Sequence, residues 1–211
     1  MRRLPVYMLL DTSGSMQGEP IEAVNAGMET LIAALRQDPY ALETVYMTVI
    51  TFDAEAKTIV PLTPLEDVVL PQITTPRSGP THLGLALETL GVQVRADVKK
   101  GTDEAKGDWA PYLFVMTDGK PSDTQLYAEQ CAAMRKLGFA SIIGCAAGPK
   151  AREADLKALC DHIVRLDTMD SSAFGKLFKW VSEVIASGNK SLGTNDTKSL
   201  PPPPPEINVV L

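Results

Sequence analysis

The chain has 211 residues, 45% of them hydrophobic types, and a formal net charge of −6, enough apolar material for one well-filled core and no lysine or arginine cluster dense enough to track a phosphate backbone. Nucleic acid is thereby excluded as a partner, and the apolar run near the start is far shorter than the ~20 residues needed to span a bilayer, so no membrane insertion is expected. Cys131, Cys145 and Cys160 are odd in number and never form a CxxC pair, which argues against a disulfide framework or zinc knuckle and fits a reducing cytoplasm.

In chain order, the first predicted strand is PVYMLL (5–10), followed by EPIEAVNAGMETLIAALRQD (19–38), which places Ile21, Val24, Met28, Leu31, Ile32 and Leu35 on one helical stripe. VYMTVITF (45–52) and AKTIVPL (56–62) read as strands joined by DAEA, too short for a parallel crossover, so an antiparallel edge strand is expected; Pro61 agrees with an edge. A helix is expected over 81–100, then a polar loop over 101–111, a strand YLFVMT (112–117) and a helix over 124–137. A strand ASIIGCAA (140–147), a helix over 151–160, a strand HIVRL (162–166) and a closing helix over 171–187 complete the pattern. Several strands are apolar on both faces, which predicts an α/β, doubly wound Rossmann-like sheet, five parallel strands plus the antiparallel edge, with helices on both faces. We expect one domain over 1–188 and an extended proline-rich tail over 189–211, whose Pro201–Pro205 run suits polyproline II. The tail's EINVVL ending is β-prone and suited to adding to a sheet edge of a partner or a neighbouring copy.

In an open α/β sheet, ligands bind outside the carboxyl ends of the strands, near the point where strand order reverses. LLDTSGSM places Asp11, Ser13 and Ser15 at such an end; FVMTDGKPSD places Asp118 at another; SGPTHLGLAL adds Thr81 at the mouth of a helix. Two carboxylates and three hydroxyls from three loops are hard oxygen ligands. They suit Mg²⁺, with Mn²⁺ as a substitute, better than zinc. Two aspartates roughly balance a divalent cation and leave it electrophilic, with an exchangeable position that a carboxylate from another molecule can fill.

The D-x-S-x-S of DTSGS, the threonine of GPTHLG and the aspartate of TDG, in that order on an alternating β/α pattern, resemble the metal-ion-dependent adhesion site of von Willebrand factor type A (VWA) domains. All five motif positions are filled, by Asp11, Ser13, Ser15, Thr81 and Asp118, and the resemblance covers roughly residues 4–187. It implies a non-enzymatic binding module that captures a Glu or Asp of a partner protein through the metal, with Ser13 and Ser15 on the ion and Thr81, Asp11 and Asp118 bound directly or through water. The opening segment and PLTPLEDVVLPQITTPRSGPTHLGLAL also resemble bacterial TerY-type proteins, associated with tellurium resistance and stress responses, and through that likeness imply a kinase, a phosphatase or another stress-response protein as partner.

The competing enzymatic reading is a Mg²⁺-dependent haloacid-dehalogenase-like phosphatase with Asp11 as nucleophile. It lacks the general acid usual two residues on, where this chain has Ser13. No GxxxxGK loop or G-x-S-x-G elbow is present. His82 beside Thr81 is left out of the ligand set, open to a role as a hydrogen-bonding neighbour of the site or as a plain helix-start histidine, and His162 at a strand start is read as structural. Met16, Gln17, Lys120 and the 101–111 loop are expected to be exposed around the site and to decide who binds.

Overall fold

The computed structural model describes residues 2–191, 200–204 and 208–210, with only the backbone of 188–191 and 208–210. The strands are β1 (Leu4–Asp11), β2 (Val45–Phe52), β3 (Ala56–Pro64), β4 (Tyr112–Thr117), β5 (Ser141–Ala147), β6 (His162–Leu166) and β7 (Asn208–Val210). The helices are α1 (Glu19–Arg36), α2 (Pro39–Thr44), α3 (Leu83–Asp97), α4 (Thr124–Met134), α5 (Glu153–Leu156) and α6 (Ser171–Ser191). Strand order is β3-β2-β1-β4-β5-β6-β7. β1, β2, β4, β5 and β6 run parallel, and β3 pairs antiparallel with β2, as the short DAEA connection requires.

Every residue of β1 is buried, because the strand is central and covered on both faces. Leu4, Val6, Met8 and Leu10 point into a layer shared with Val24, Met28 and Leu31 of α1 and Phe174, Phe178 and Trp180 of α6. Tyr7 and Leu9 point the other way, into a layer with Leu83, Leu87 and Leu90 of α3 and Tyr127 and Met134 of α4. This alternation is the period of two that a pleated strand imposes.

Three local features differ from the sequence expectations. α2 stands in what reads as a connection; the Asp38 carboxylate accepts from Tyr40 N–H at 2.9 Å and Ala41 N–H at 3.4 Å, and Pro39 opens the helix where no N–H is needed. α5 is a single turn, far shorter than the 151–160 stripe. β7 adds a seventh strand, antiparallel to β6, pairing Asn208 with Arg165, Val209 with Val164 and Val210 with Ile163. Its connection from α6 includes 192–199 and 205–207, so the expected extended tail falls partly outside the described residues. Before it, Leu200 packs against the α6 side of the core, and the Trp180 indole N–H donates to Pro201 O at 3.0 Å. Among the described residues no helix is long and apolar enough to cross a membrane.

Candidate functional site

The chain leaves β1 for β2 on one side and later places β4 on the other, so strand order reverses between β1 and β4. A crevice therefore opens outside their carboxyl ends. Asp11 is the last residue of β1, and Asp118 follows the last residue of β4. Both are buried, at 0% and 3% exposure.

After Asp11 the chain turns through Thr12 and Ser13 into a short 3-10 turn, Gly14–Met16. Ser13 N–H donates to Asp11 Oδ1 at 2.8 Å and fixes the turn. The Ser13 and Ser15 hydroxyls lie 3.3 Å apart, and Ser15 Oγ donates to Asp118 Oδ1 at 2.9 Å. Gly14 permits the close approach of the neighbouring loop: a Cβ there would sit 2.9 Å from Ser78 Cα, inside contact distance.

Thr81 joins the same cluster from before α3. A Cβ at Gly119 would lie 3.3 Å from Thr81 Oγ1, so the hydroxyl sits against the loop that carries Asp118. Two hydrogen bonds hold it there: Thr81 N–H donates to the Ser122 hydroxyl oxygen at 3.1 Å, and Ser122 N–H returns to Thr81 O at 2.8 Å. The first turn of α3 is capped by Asp123, whose carboxylate accepts from Gly84 N–H and Leu85 N–H at 3.1 and 2.8 Å. Thr81 makes no such cap, so its hydroxyl is not committed to the helix.

Thr117 is the residue that sequence reading missed. Its hydroxyl donates to Asp11 Oδ2 at 2.6 Å and accepts from Gly119 N–H at 3.2 Å. The signal was its place at the end of a buried strand directly before Asp118, where a hydroxyl needs a partner. Ser122 and Asp123, directly before the 124–137 helix, stand in no sequence motif that singles them out.

The electrostatics are those of an anionic pocket. Burial pushes the Asp11 carboxyl up to about 6, against the lowering effect of its bonds from Ser13 and Thr117, and the Asp118 charge pushes it the same way. Burial also raises Asp118, opposed by the Ser15 hydrogen bond and by the field of Lys150. No ion pair to either aspartate is formed among the described residues. Two buried carboxylates without a paired cation, flanked by neutral hydroxyls, match the donor chemistry of a hard divalent ion. Among the described residues no group of three or more His, Cys, Asp and Glu side chains is placed to hold a metal ion, and the cluster here combines two carboxylates with hydroxyls.

The surroundings correct two expectations. Met16 is fully buried, because its apolar side chain folds beneath the turn, whereas Gln17 and Lys120 are exposed. The 101–111 loop lies at the opposite end of the sheet, where it leads into the amino end of β4 and bonds the residue before β1 through Trp109 N–H to Arg3 O at 2.8 Å. What does flank the motif is a cleft of about 520 Å³, lined by Thr12, Asp53, Glu55, Lys57, Thr75 and Ser78 among others. His82 lies on this side, with Nδ1 3.2 Å from Ala54 O.

An open α/β sheet whose switch-point crevice gathers two aspartates and three hydroxyls from three loops defines a class of domain built to present an oxygen-rich site on one face. The chain belongs to the von Willebrand factor type A domain family, whose model matches residues 6–120. Such domains commonly mediate metal-dependent protein–protein interaction. An uncharacterized protein of Synechocystis sp. is 31% identical over 128 residues, 56% of this chain; the chain spans only about a quarter, 26%, of that relative. Among solved structures, proximal thread matrix protein 1 from the mussel byssus, with a zinc-occupied metal-ion-dependent adhesion site, is similar at a TM-score of 0.64 and 18% identity, over 88% of this chain and 48% of that one. A von Willebrand factor type A protein from Catenulispora acidiphila is similar at 0.65 and 13% identity, over 87% and 43%. At those identities the likeness is one of fold.

Proposed function

We propose that this protein is an interaction module that holds Mg²⁺, with Mn²⁺ as substitute, on Asp11, Ser13, Ser15, Thr81 and Asp118, and captures an Asp or Glu of a partner protein at the metal's exchangeable position. The observation that carries the reading is the convergence of Ser13, Ser15 and Asp118, linked by contacts of 3.3 and 2.9 Å, at the mouth of a crevice floored by buried Asp11. The adjoining cleft offers the partner residues beside the captured acid a polar seat.

The module reading also fits the surroundings of Asp11. Both of its oxygens accept hydrogen bonds from the protein, from Ser13 N–H and Thr117 Oγ1, which suits a fixed anion under a cation more than a phosphoryl-accepting nucleophile. We assign it no catalytic activity. The resemblance of its opening segment and of PLTPLEDVVLPQITTPRSGPTHLGLAL to TerY-type proteins supports a cytoplasmic role in a bacterial tellurium-resistance or stress-response system, with a kinase or phosphatase of that system as the partner. The domain proper is taken as residues 1–188, with α6 running three residues past that boundary, and the tail as 189–211, whose 208–210 segment returns to the sheet.

The test is a calorimetric titration of Mg²⁺ and of Mn²⁺ into the native protein and into Ser13→Ala, both confirmed folded. Native binding with much weaker binding by the variant supports the reading, and equal binding sinks it. Partner capture then has to be lost in chelator and restored by Mg²⁺, without ester hydrolysis.

A further inference from the structure

The two edges of the sheet are managed differently. β3 closes one side with Pro61 and Pro64, which carry no N–H, and with an irregular register against β2. β6 has no such device. Its five residues are uninterrupted by proline, and three of them, Ile163, Val164 and Arg165, are paired by β7.

β7 is remote in sequence from β6, and three residue pairs make a short ladder. Pro201–Pro205 cannot donate to a sheet, so pairing is confined to the residues that follow them. Asn208, Val209 and Val210 carry no charge, and Val209 and Val210 are β-branched, so the segment lacks the lysines and prolines that keep a strand from pairing with another chain. Once displaced, it and the bared β6 edge are complementary surfaces on every copy of the chain.

We propose that the β6 edge is a strand-acceptor surface whose partner is a second copy of this chain, each copy giving its 208–210 strand to the other's β6 in the same antiparallel register seen within one chain. The exchange preserves every backbone pair of the closed form and is reciprocal, so it closes as a two-fold dimer. Leu200 and Pro201 stay against α6 of their own chain, so the six residues from 202 to 207 supply the span for the crossing. The metal crevice lies at the β1 and β4 ends and takes no part, so the proposal stands or falls separately from metal binding.

Because Arg165 and Asn208 are register partners, a thiol at each reports the pairing directly. Full-length Arg165→Cys and full-length Asn208→Cys chains are mixed at high concentration under oxidised glutathione, and disulfide-linked heterodimer is quantified on a non-reducing gel. Arg165 is partly exposed at the surface edge, whereas the native Cys131, Cys145 and Cys160 are buried. Exchange predicts heterodimer at about tenfold the yield of a control pairing Asn208→Cys with exposed Glu55→Cys, because pairing raises the effective concentration of the two thiols. Adding both Val209→Pro and Val210→Pro to the Asn208→Cys chain must abolish the excess, since neighbouring strand N–H groups face opposite sides and one of the two faces β6. Heterodimer at the control yield, or an excess that survives the double proline substitution, overturns the proposal. Circular dichroism on each chain confirms that the variants are folded before mixing.

Discussion

The Thr117 hydroxyl reaches across from the end of β4 to Asp11 at the end of β1, 2.6 Å from Oδ2, and so ties the two strands whose divergence opens the crevice. It orients one carboxylate through a neighbour that is not itself a proposed ligand. Thr117→Val keeps the shape and removes the bond. We expect Mg²⁺ affinity to fall about 10–100-fold, the usual effect of losing an orienting partner behind a ligand. Thr117→Ser restores most of it. Calorimetric titration of the three proteins checks this, and equal affinities would remove Thr117 from the site.

Asp123 joins the Asp118 loop to α3 by accepting from Gly84 and Leu85 N–H, beside the Ser122–Thr81 clasp. Removing a carboxylate cap from a helix start costs about 0.5–2 kcal/mol. Asp123→Ala is therefore expected to lower the urea midpoint by a corresponding amount and to weaken metal binding, because Thr81 and Asp118 lose a shared anchor. A variant with native stability and native metal affinity would show that the loops hold their positions without it.

The strands were the most legible part of the chain because their runs are apolar on both faces, and β2, β4 and β6 begin and end where those runs do. The antiparallel edge followed from the length of one connection, and the reading of Asp11, Ser13, Ser15, Thr81 and Asp118 as one cluster followed from their places at strand and helix ends. β7 was not legible as part of this sheet: its partner lies more than 40 residues back, and nothing local in EINVVL distinguishes its own sheet from another chain's. The 101–111 loop was assigned to the wrong end because polarity marks a loop without saying which end of a parallel strand it serves. Met16 was assigned to the surface because its neighbours are polar, although only packing decides where one apolar side chain in a turn goes.

At the far end of the sheet, Arg3 grips both Asp108 carboxylate oxygens through Nε and Nη2, at 2.9 and 2.6 Å. Burial alone would raise the Asp108 carboxyl, but the bonds from Arg3 and from Lys99 N–H outweigh it and hold the group below its ordinary 3.8. A carboxyl depressed in the folded state contributes stability that is fully present above its unfolded value and is lost as pH falls through the folded one. Asp108→Asn is expected to lower stability by about 1.5–3 kcal/mol near neutrality, the range for hydrogen bonds to charged groups. The gap between native and variant should hold down to about pH 5 and shrink below about pH 4. Thermal melts of both proteins from pH 3 to 7 test it; a gap that widens on acidification has the wrong sign.

Asp11 has the opposite sign. Its carboxyl, raised to about 6 by burial, is held ionised at pH 7 at a cost to the metal-free fold. The folded state takes up a proton between that value and the ordinary 3.8, where the unfolded chain does not, so the metal-free protein gains stability from this group as pH falls from 7 toward 4. Asp11→Asn removes the buried charge while keeping an oxygen for Ser13 N–H and leaving the Thr117 hydroxyl able to accept from the new amide. We expect the variant to be more stable than native by about 1–3 kcal/mol at pH 7 without metal, the worth of a shift of one to two pKa units, and to lose the pH dependence. Excess Mg²⁺ should reverse the order, because binding to the folded state stabilises the native protein by mass action and leaves the variant unmoved. Melts at pH 7 with chelator and with Mg²⁺ read both effects: a variant less stable than native in chelator would show that Asp11 is held by its hydrogen bonds more strongly than burial penalises its charge, and a variant stabilised equally by Mg²⁺ would show that Asp11 contributes nothing to holding the ion.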